Sequence, residues 1–230
     1  MNIQRRKYLE DENSLTAFHE AGHAAMFWFF QQQFYLKGIS MAPTEDHWGC
    51  VMQSSITPPF TLSHLAILNP QRALRVAMME AMHCLSGPYA ESRFGLDDGS
   101  SEDLFWLESL YEELGLDDSL REMAERNFGT DLATAARIGF ELYEDESKVF
   151  RFIRKCSEWT VLSFSFGRMD SVVKELAKVL IDLRASEKEI LDGPSTWACM
   201  EDAWDSRKKP LQDPSWRRRF SILKGESWYR

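Results

Sequence analysis

The sequence predicts a mostly α (α+β) fold with one small β-sheet or hairpin. Three observations predict it. Apolar residues recur at helical spacing through most of the chain. Two short stretches rich in β-formers flank a turn directly after the first helical segment. Gly, Pro and Asp punctuate the remaining helical segments.

Taken in order, Asn13 or Ser14 can cap a helix over 15–32. Residues 34–42 read as a strand, Pro43-Thr44-Glu45-Asp46 as a turn, and 48–55 as a second strand. Thr57-Pro58-Pro59 breaks the pattern. Asn69-Pro70, a cap followed by proline in the first turn, opens a long helix to about residue 94. Its apolar positions Leu74, Ala77, Met78, Ala81, Met82 and Leu85 share one face and belong to the core. Further helices fall near 101–114, 118–127, 131–145, 147–165 and 169–184, and Ser186-Glu187-Lys188-Glu189 has the form of a capping box for a short last helix.

With 230 residues, 44% hydrophobic and 27% charged, the chain can bury a sizeable core as one large domain or as one domain with appendages. The net charge of −9 argues against nucleic acid as the main partner. That charge is uneven. Residues 206–230 hold eight Lys/Arg against two acids, with Trp216, Phe220, Trp228 and Tyr229 among them. This basic, aromatic tail either folds back on the acidic body or docks on a protein partner or membrane surface. The basic start of the chain is followed by Asp11 and Glu12 rather than an apolar run, so no signal peptide is expected. No apolar run reaches the ~18 residues that span a bilayer. Cys50, Cys84, Cys156 and Cys199 form no CxxC pair and read as free, mostly buried thiols. Together these features predict a cytoplasmic protein.

The chemistry is concentrated in the first helix, in Thr16-Ala17-Phe18-His19-Glu20-Ala21-Gly22-His23-Ala24-Ala25. This contains HExxH. Residues four apart share a helix face, so His19 and His23 can turn their imidazoles onto one ion. Glu20 comes round on a neighbouring face, where it can reach a water held by the ion and act as general base rather than as ligand. Ala21, Gly22, Ala24 and Ala25 are small and allow close approach of another helix. The pattern implies one Zn²⁺ per chain and hydrolysis of an amide. His47, in the hairpin turn, is a candidate substrate contact. His83, in an apolar helix, reads as a core histidine with its hydrogen bonds met, and His64 has no special context.

Beyond the motif, TAFHEAGHAA (16–25), LKGISMAP (36–43), WGCVMQ (48–53) and LSGPYAESRFG (85–95) occur in the order found in the protease domain of FtsH-type AAA+ zinc proteases, which this chain resembles over about residues 14–192. The third segment is similar to the family's edge strand, and the fourth to its LGGRAAE segment, from which it departs at Pro88 and Tyr89. The chain carries no G-x-x-x-x-G-K-[ST] and no transmembrane anchor, so it looks like a stand-alone relative of that protease domain. The resemblance implies a zincin-like peptidase domain over 1–205, with an insertion at 96–128, followed by the tail. It implies a substrate strand laid along Trp48, Gly49, Cys50, Val51 and Met52.

It also implies an aspartate as third metal ligand. Asp103, in Gly99-Ser100-Ser101-Glu102-Asp103-Leu104, has the family's lead-in and distance from His23. Asp131, in Gly129-Thr130-Asp131-Leu132-Ala133, is followed by Ala133, Ala135 and Ala136, which permit close packing beside the metal helix, and is favoured for that reason. The activity so implied is a zinc-dependent endopeptidase acting on unfolded or flexible polypeptides without ATP. The alternatives are a catalytically idle metal-binding adaptor, or a helical regulator in which the motif is coincidental.

Overall fold

The computed structural model describes residues 12–30, 36–42, 49–54, 61–95, 120–126, 130–165, 169–186 and 188–205. Among them the order is α1 (Glu12–Phe29), β1 (Leu36–Ser40), β2 (Cys50–Gln53), α2 (Leu62–Leu68), α3 (Pro70–Gly95), α4 (Leu120–Arg126), α5 (Asp131–Leu142), α6 (Glu146–Ser165), α7 (Met169–Ala185), β3 (Ile190–Asp192) and α8 (Gly193–Asp205). The fold is mostly helical with one small antiparallel sheet. No described helix is long and apolar enough to cross a membrane. The expected helix near 101–114, most of the 96–128 segment, Trp48, His47, Asp103 and the basic tail lie outside the described residues.

Helix α1 is the centre of the molecule. Ala17, Ala21, Ala24 and Ala25 are fully buried, and Met26 and Phe27 extend the same core. The small residues have a purpose visible in the backbone spacing. A Cβ on Gly22 would collide with the Ser86 carbonyl and stand 2.6 Å from Ala90 Cβ. Glycine at 22 therefore sets how closely α1 and α3 cross. Glycine inside a helix costs about 1 kcal/mol relative to alanine, so the contact it permits must offset that cost.

Helix α3 begins as the sequence predicts: Asn69 Oδ1 accepts from Arg72 N–H at 3.0 Å, with Pro70 in the first turn. It continues through Pro88, although proline there cannot donate to the Cys84 carbonyl. Tyr89 is completely buried and meets Phe164 of α6 edge-on, with ring centroids 4.9 Å apart. Its hydroxyl accepts from Arg93 at 2.7 Å, and Arg93 pairs with Asp170 of α7 at 2.9 Å. Tyr89 thus forms part of the packing of α3 on α6, and its hydroxyl joins the Arg93–Asp170 pair that reaches α7.

The sheet has the order β2-β1-β3. Gly38 in β1 has φ +152°, and a Cβ there would lie 3.1 Å from Met52 Cε and 3.2 Å from Asp192 Cα, so only glycine suits this bulged position between two strands. The third strand extends the expected hairpin to a small three-stranded sheet. It also displaces the expected capping box at 186–189. Ser186 closes α7 instead, its Oγ donating to the Leu183 carbonyl at 2.8 Å, and Lys188 N–H returns to that carbonyl at 3.1 Å. The chain then pairs with β1, and Asp192 caps α8 by accepting from Ser195 N–H at 2.8 Å. The sequence reading also missed α2, a seven-residue helix whose start is marked by Thr61 accepting from His64 N–H.

All four cysteines are free. Cys84 and Cys156 are buried, Cys199 is half-buried, and Cys50 is exposed on β2, which corrects the expectation of mostly buried thiols for that one residue.

The Gly22 contact gives a direct test. Gly22→Ala places a methyl into the Ser86 carbonyl and Ala90, and overpacking of this kind costs about 1–3 kcal/mol. The urea midpoint of Gly22→Ala is expected to fall by a corresponding amount with an unchanged slope; an unaltered midpoint would mean that α1 and α3 do not meet there as described.

Candidate metal centre

His19 and His23 lie one helical turn apart on α1, and Asp131 is the first residue of α5. Thr130 caps α5, its Oγ1 accepting from Ala133 N–H at 3.3 Å. The cap fixes where the helix begins, and so where the Asp131 carboxylate points. That carboxylate also sits at the positive end of the α5 dipole. Ala133, Ala135 and Ala136 are fully buried, which lets α5 lie close against α3.

Three donor atoms converge. His19 Nε2 is 3.1 Å from His23 Nε2 and 3.0 Å from Asp131 Oδ2, and His23 Nε2 is 3.4 Å from the same oxygen. These three residues can hold a metal ion.

The outer ring nitrogens decide the protonation. His23 Nδ1 lies 2.7 Å from the backbone carbonyl of His83. A carbonyl only accepts, so Nδ1 carries the proton. His19 Nδ1 lies 3.0 Å from Glu91 Oε2, and donates to that carboxylate. Each neutral imidazole therefore turns a bare lone pair inward, toward its neighbour and toward Asp131. Three electron-rich atoms within 3.4 Å of each other repel unless a cation lies among them.

A proton can serve as that cation on one histidine. Burial alone would lower the His19 pKa, but hydrogen bonds with Asp131 and Glu91 and the negative charges of Asp131 and Glu20 overcome this and raise it to about 10. For Asp131, burial pushes the carboxyl up, while a proton shared with the neighbouring His23 and His19 outweighs it and holds the group well below the usual carboxylate range.

Helix α3 comes close against both ligand nitrogens. A Cβ on Gly87 would collide with His23 Nε2 and stand 2.8 Å from His19 Nε2. The missing side chain of Gly87 is thus a cradle facing both ligand nitrogens. The Ser86 hydroxyl donates to the His83 carbonyl at 2.6 Å, so that one carbonyl receives both Ser86 and His23. The ring of His83 lies against His23 and Phe27, with centroids 4.9 and 4.3 Å away. Its Nε2 is out of solvent with no hydrogen-bond partner among the described residues, contrary to the expectation of a satisfied core histidine. Burial pushes its pKa well down, which keeps it neutral. His64 is remote from this cluster and bonds Thr61 on α2.

Glu20 is only 5% exposed. Its Oε2 is buried and has no hydrogen-bond partner among the described residues. Burial pushes its carboxyl up, opposed by His23 and His19. Gly49, just before β2, packs on its stem: a Cβ there would lie 3.1 Å from Glu20 Cγ and 3.0 Å from Thr16 Cγ2. Cys50 is exposed, while Val51 and Met52 are half-buried.

The sequence reading did not single out Glu91, Gly87 or the His83 carbonyl as parts of the centre. Glu91 was legible only through the LGGRAAE-like segment, and the other two depend on the crossing of α1 and α3. No family model matches this chain, and no curated protein or solved structure is found to match it.

Two outcomes follow for metal binding. Gly87→Ala fills the cradle and is expected to weaken zinc or cobalt binding at least ~10-fold, a loss of the size seen when the shell supporting metal ligands is disturbed, while the far-ultraviolet circular dichroism stays unchanged. Below about pH 10, metal must also displace the proton on His19. The apparent affinity is therefore expected to rise about tenfold per pH unit between roughly pH 6 and 8, measured by competition with a chelating dye. A flat profile would contradict the paired arrangement of His19.

Proposed function

We propose that this chain is a zinc-dependent endopeptidase on an FtsH-type protease scaffold, cutting extended or unfolded polypeptides without ATP. The observation that carries the reading is the inward convergence of two imidazole lone pairs and a carboxylate beside the buried carboxylate of Glu20.

The donor set fits zinc. Bonds of ~2.0–2.1 Å in a tetrahedral site place ligand atoms about 3.3 Å apart. The separations here are 3.0, 3.1 and 3.4 Å. Two histidines and one carboxylate leave a fourth position open, as catalytic rather than structural zinc sites do. Bound there, zinc would supply Lewis acidity, polarising a carbonyl and drawing the pKa of a water toward neutrality.

The chain's own groups account for the rest. Glu91 and the His83 carbonyl fix the tautomers of His19 and His23 and hold both rings in place. Glu20 follows the first ligand and offers Oε2 to take a proton from the attacking water and pass it to the leaving amine. Its raised pKa suits a group that must both accept and return a proton. Among the described residues β2 is an edge strand of the sheet, and Gly49 just before it lies beside Glu20, so an extended peptide can add along it through backbone bonds. Recognition of that kind tolerates many sequences but requires an unfolded segment.

An idle metal-binding scaffold has no use for a buried carboxylate next to the ion, since burying an unpaired acid is costly. Glu20 therefore favours the catalytic reading over the adaptor reading. On denatured casein, zinc-loaded Glu20→Gln is expected to lose cleavage by about 10²–10⁴-fold while holding zinc as wild type does. Equal cleavage by the two proteins would remove Glu20 as base. Stoichiometric zinc without cleavage by either would favour the adaptor.

A further inference from the structure

Helices α1 and α8 end beside each other. Trp28 and Trp204 are each the last residue but one of their helices, and their ring centroids lie 5.0 Å apart. Phe29 and Phe30 extend the aromatic surface from the α1 side, and all four residues are half-buried.

The electrostatics of this end are one-sided. The last four carbonyls of a helix have no partner within it, and the helix dipole places partial negative charge there. Two such ends meet here, and neither helix has a basic residue in its last turn. Neither has a Lys or Arg anywhere along its length, while α8 carries Glu201, Asp202 and Asp205. Glu201 is exposed and stands on the face of α8 that holds Trp197 and Trp204, and its Oε1 accepts from Trp197 Nε1 at 2.9 Å. An aromatic surface flanked by two negative helix ends and an acid suits guanidinium groups, which donate to carbonyls and carboxylates and lie on indole faces.

The sequence that follows α8 has that chemistry. Residues 206–230 hold eight Lys/Arg against two acids, and Trp216-Arg217-Arg218-Arg219-Phe220 sets three arginines between two aromatic residues. Residues 206–216 link Asp205 to the first of these arginines. At up to ~3.3 Å per residue, that link is long enough to turn back to the Trp28–Trp204 contact, and it keeps the segment at a roughly millimolar effective concentration over it. An anionic bilayer is the weaker occupant. The chain's net charge is −9 and the tail's is +6, which leaves −15 on residues 1–205, and such a body is repelled by a negative surface.

We propose that residues 216–220 dock on the joined ends of α1 and α8, with their arginines against the terminal carbonyls, Glu201 and the rings of Trp28 and Trp204. This docking is independent of the peptidase reading. It covers the end of the helix that carries His19 and His23.

Photocrosslinking of the full chain carrying Phe220→p-benzoylphenylalanine tests it, with the products mapped by mass spectrometry. The crosslink is expected within one chain, on peptides from 23–30 and 197–205. It is expected to fall at least tenfold when Arg217→Glu, Arg218→Glu and Arg219→Glu are combined in that chain, and to fall again with Glu201→Arg alone. A tail that only hangs from Asp205 would mark many surfaces and ignore these charge reversals. Crosslinks spread over the body, formed between copies, absent, or unchanged in the triple variant would overturn the docking. Circular dichroism checks that each variant is folded, and if Glu201→Arg is not, the triple variant decides alone. Wild type mixed with phosphatidylserine vesicles at physiological salt is expected to stay in solution. Sedimentation with the vesicles that the triple variant loses would make the bilayer the occupant and overturn the proposal.

Discussion

Three electron-rich atoms, His19 Nε2, His23 Nε2 and Asp131 Oδ2, are held within 3.4 Å of one another. Left to themselves they would separate. They stay together because each is fixed from behind: His19 by Glu91, His23 by the His83 carbonyl, and Asp131 by the capped start of α5. Those supports come from helix α3 and from the start of α5. The arrangement of α1, α3 and α5 is therefore what keeps the centre assembled, and a cation among the three atoms is what relieves the repulsion the arrangement creates.

The local sequence bears costs at the same place. Gly22 and Gly87 are poor helix formers, and Pro88 removes a backbone donor. Away from the centre, α5, α6 and α7 bury large apolar residues such as Leu132, Ile153, Phe164, Val172 and Leu176. Unfavourable local choices clustered at one point in an otherwise consistent fold are the mark of a site shaped for something other than stability. The two glycines have a geometric reason here. Gly22 permits the helix crossing and Gly87 clears the space in front of the histidines. Pro88 stands between Gly87 and the buried Tyr89, on the turn of α3 that faces the metal ligands.

The small sheet has a different task. It is too short to contribute much core, with only Leu36 and Ile39 buried in its strands apart from Gly38. What it provides is a rigid edge. Gly38 lets β1 sit tightly between β2 and β3, and Gly49, just before β2, then packs on the stem of Glu20. The long helices were legible because their apolar periodicity and the Asn69-Pro70 start act locally. So was the pairing of His19 with His23, since four residues make one helical turn. The choice of Asp131 rested on the small residues after it, and the structure brings that aspartate to the histidines. Glu91, Gly87 and the His83 carbonyl were not legible as site components, because they are placed by the crossing of helices sixty or more positions apart in the chain. Strand β3 escaped notice because three residues carry no period, and α2 because seven residues make too short a helix to show one.

The central claim is that two imidazoles and one carboxylate hold a zinc ion with a position left open. Zinc K-edge X-ray absorption on the zinc-loaded protein tests it most directly. The account predicts a first shell of nitrogen and oxygen at ~2.0–2.1 Å, with outer-shell scattering from two imidazoles and no sulfur. A shell with sulfur at ~2.3 Å, or a protein that does not retain zinc, would contradict it.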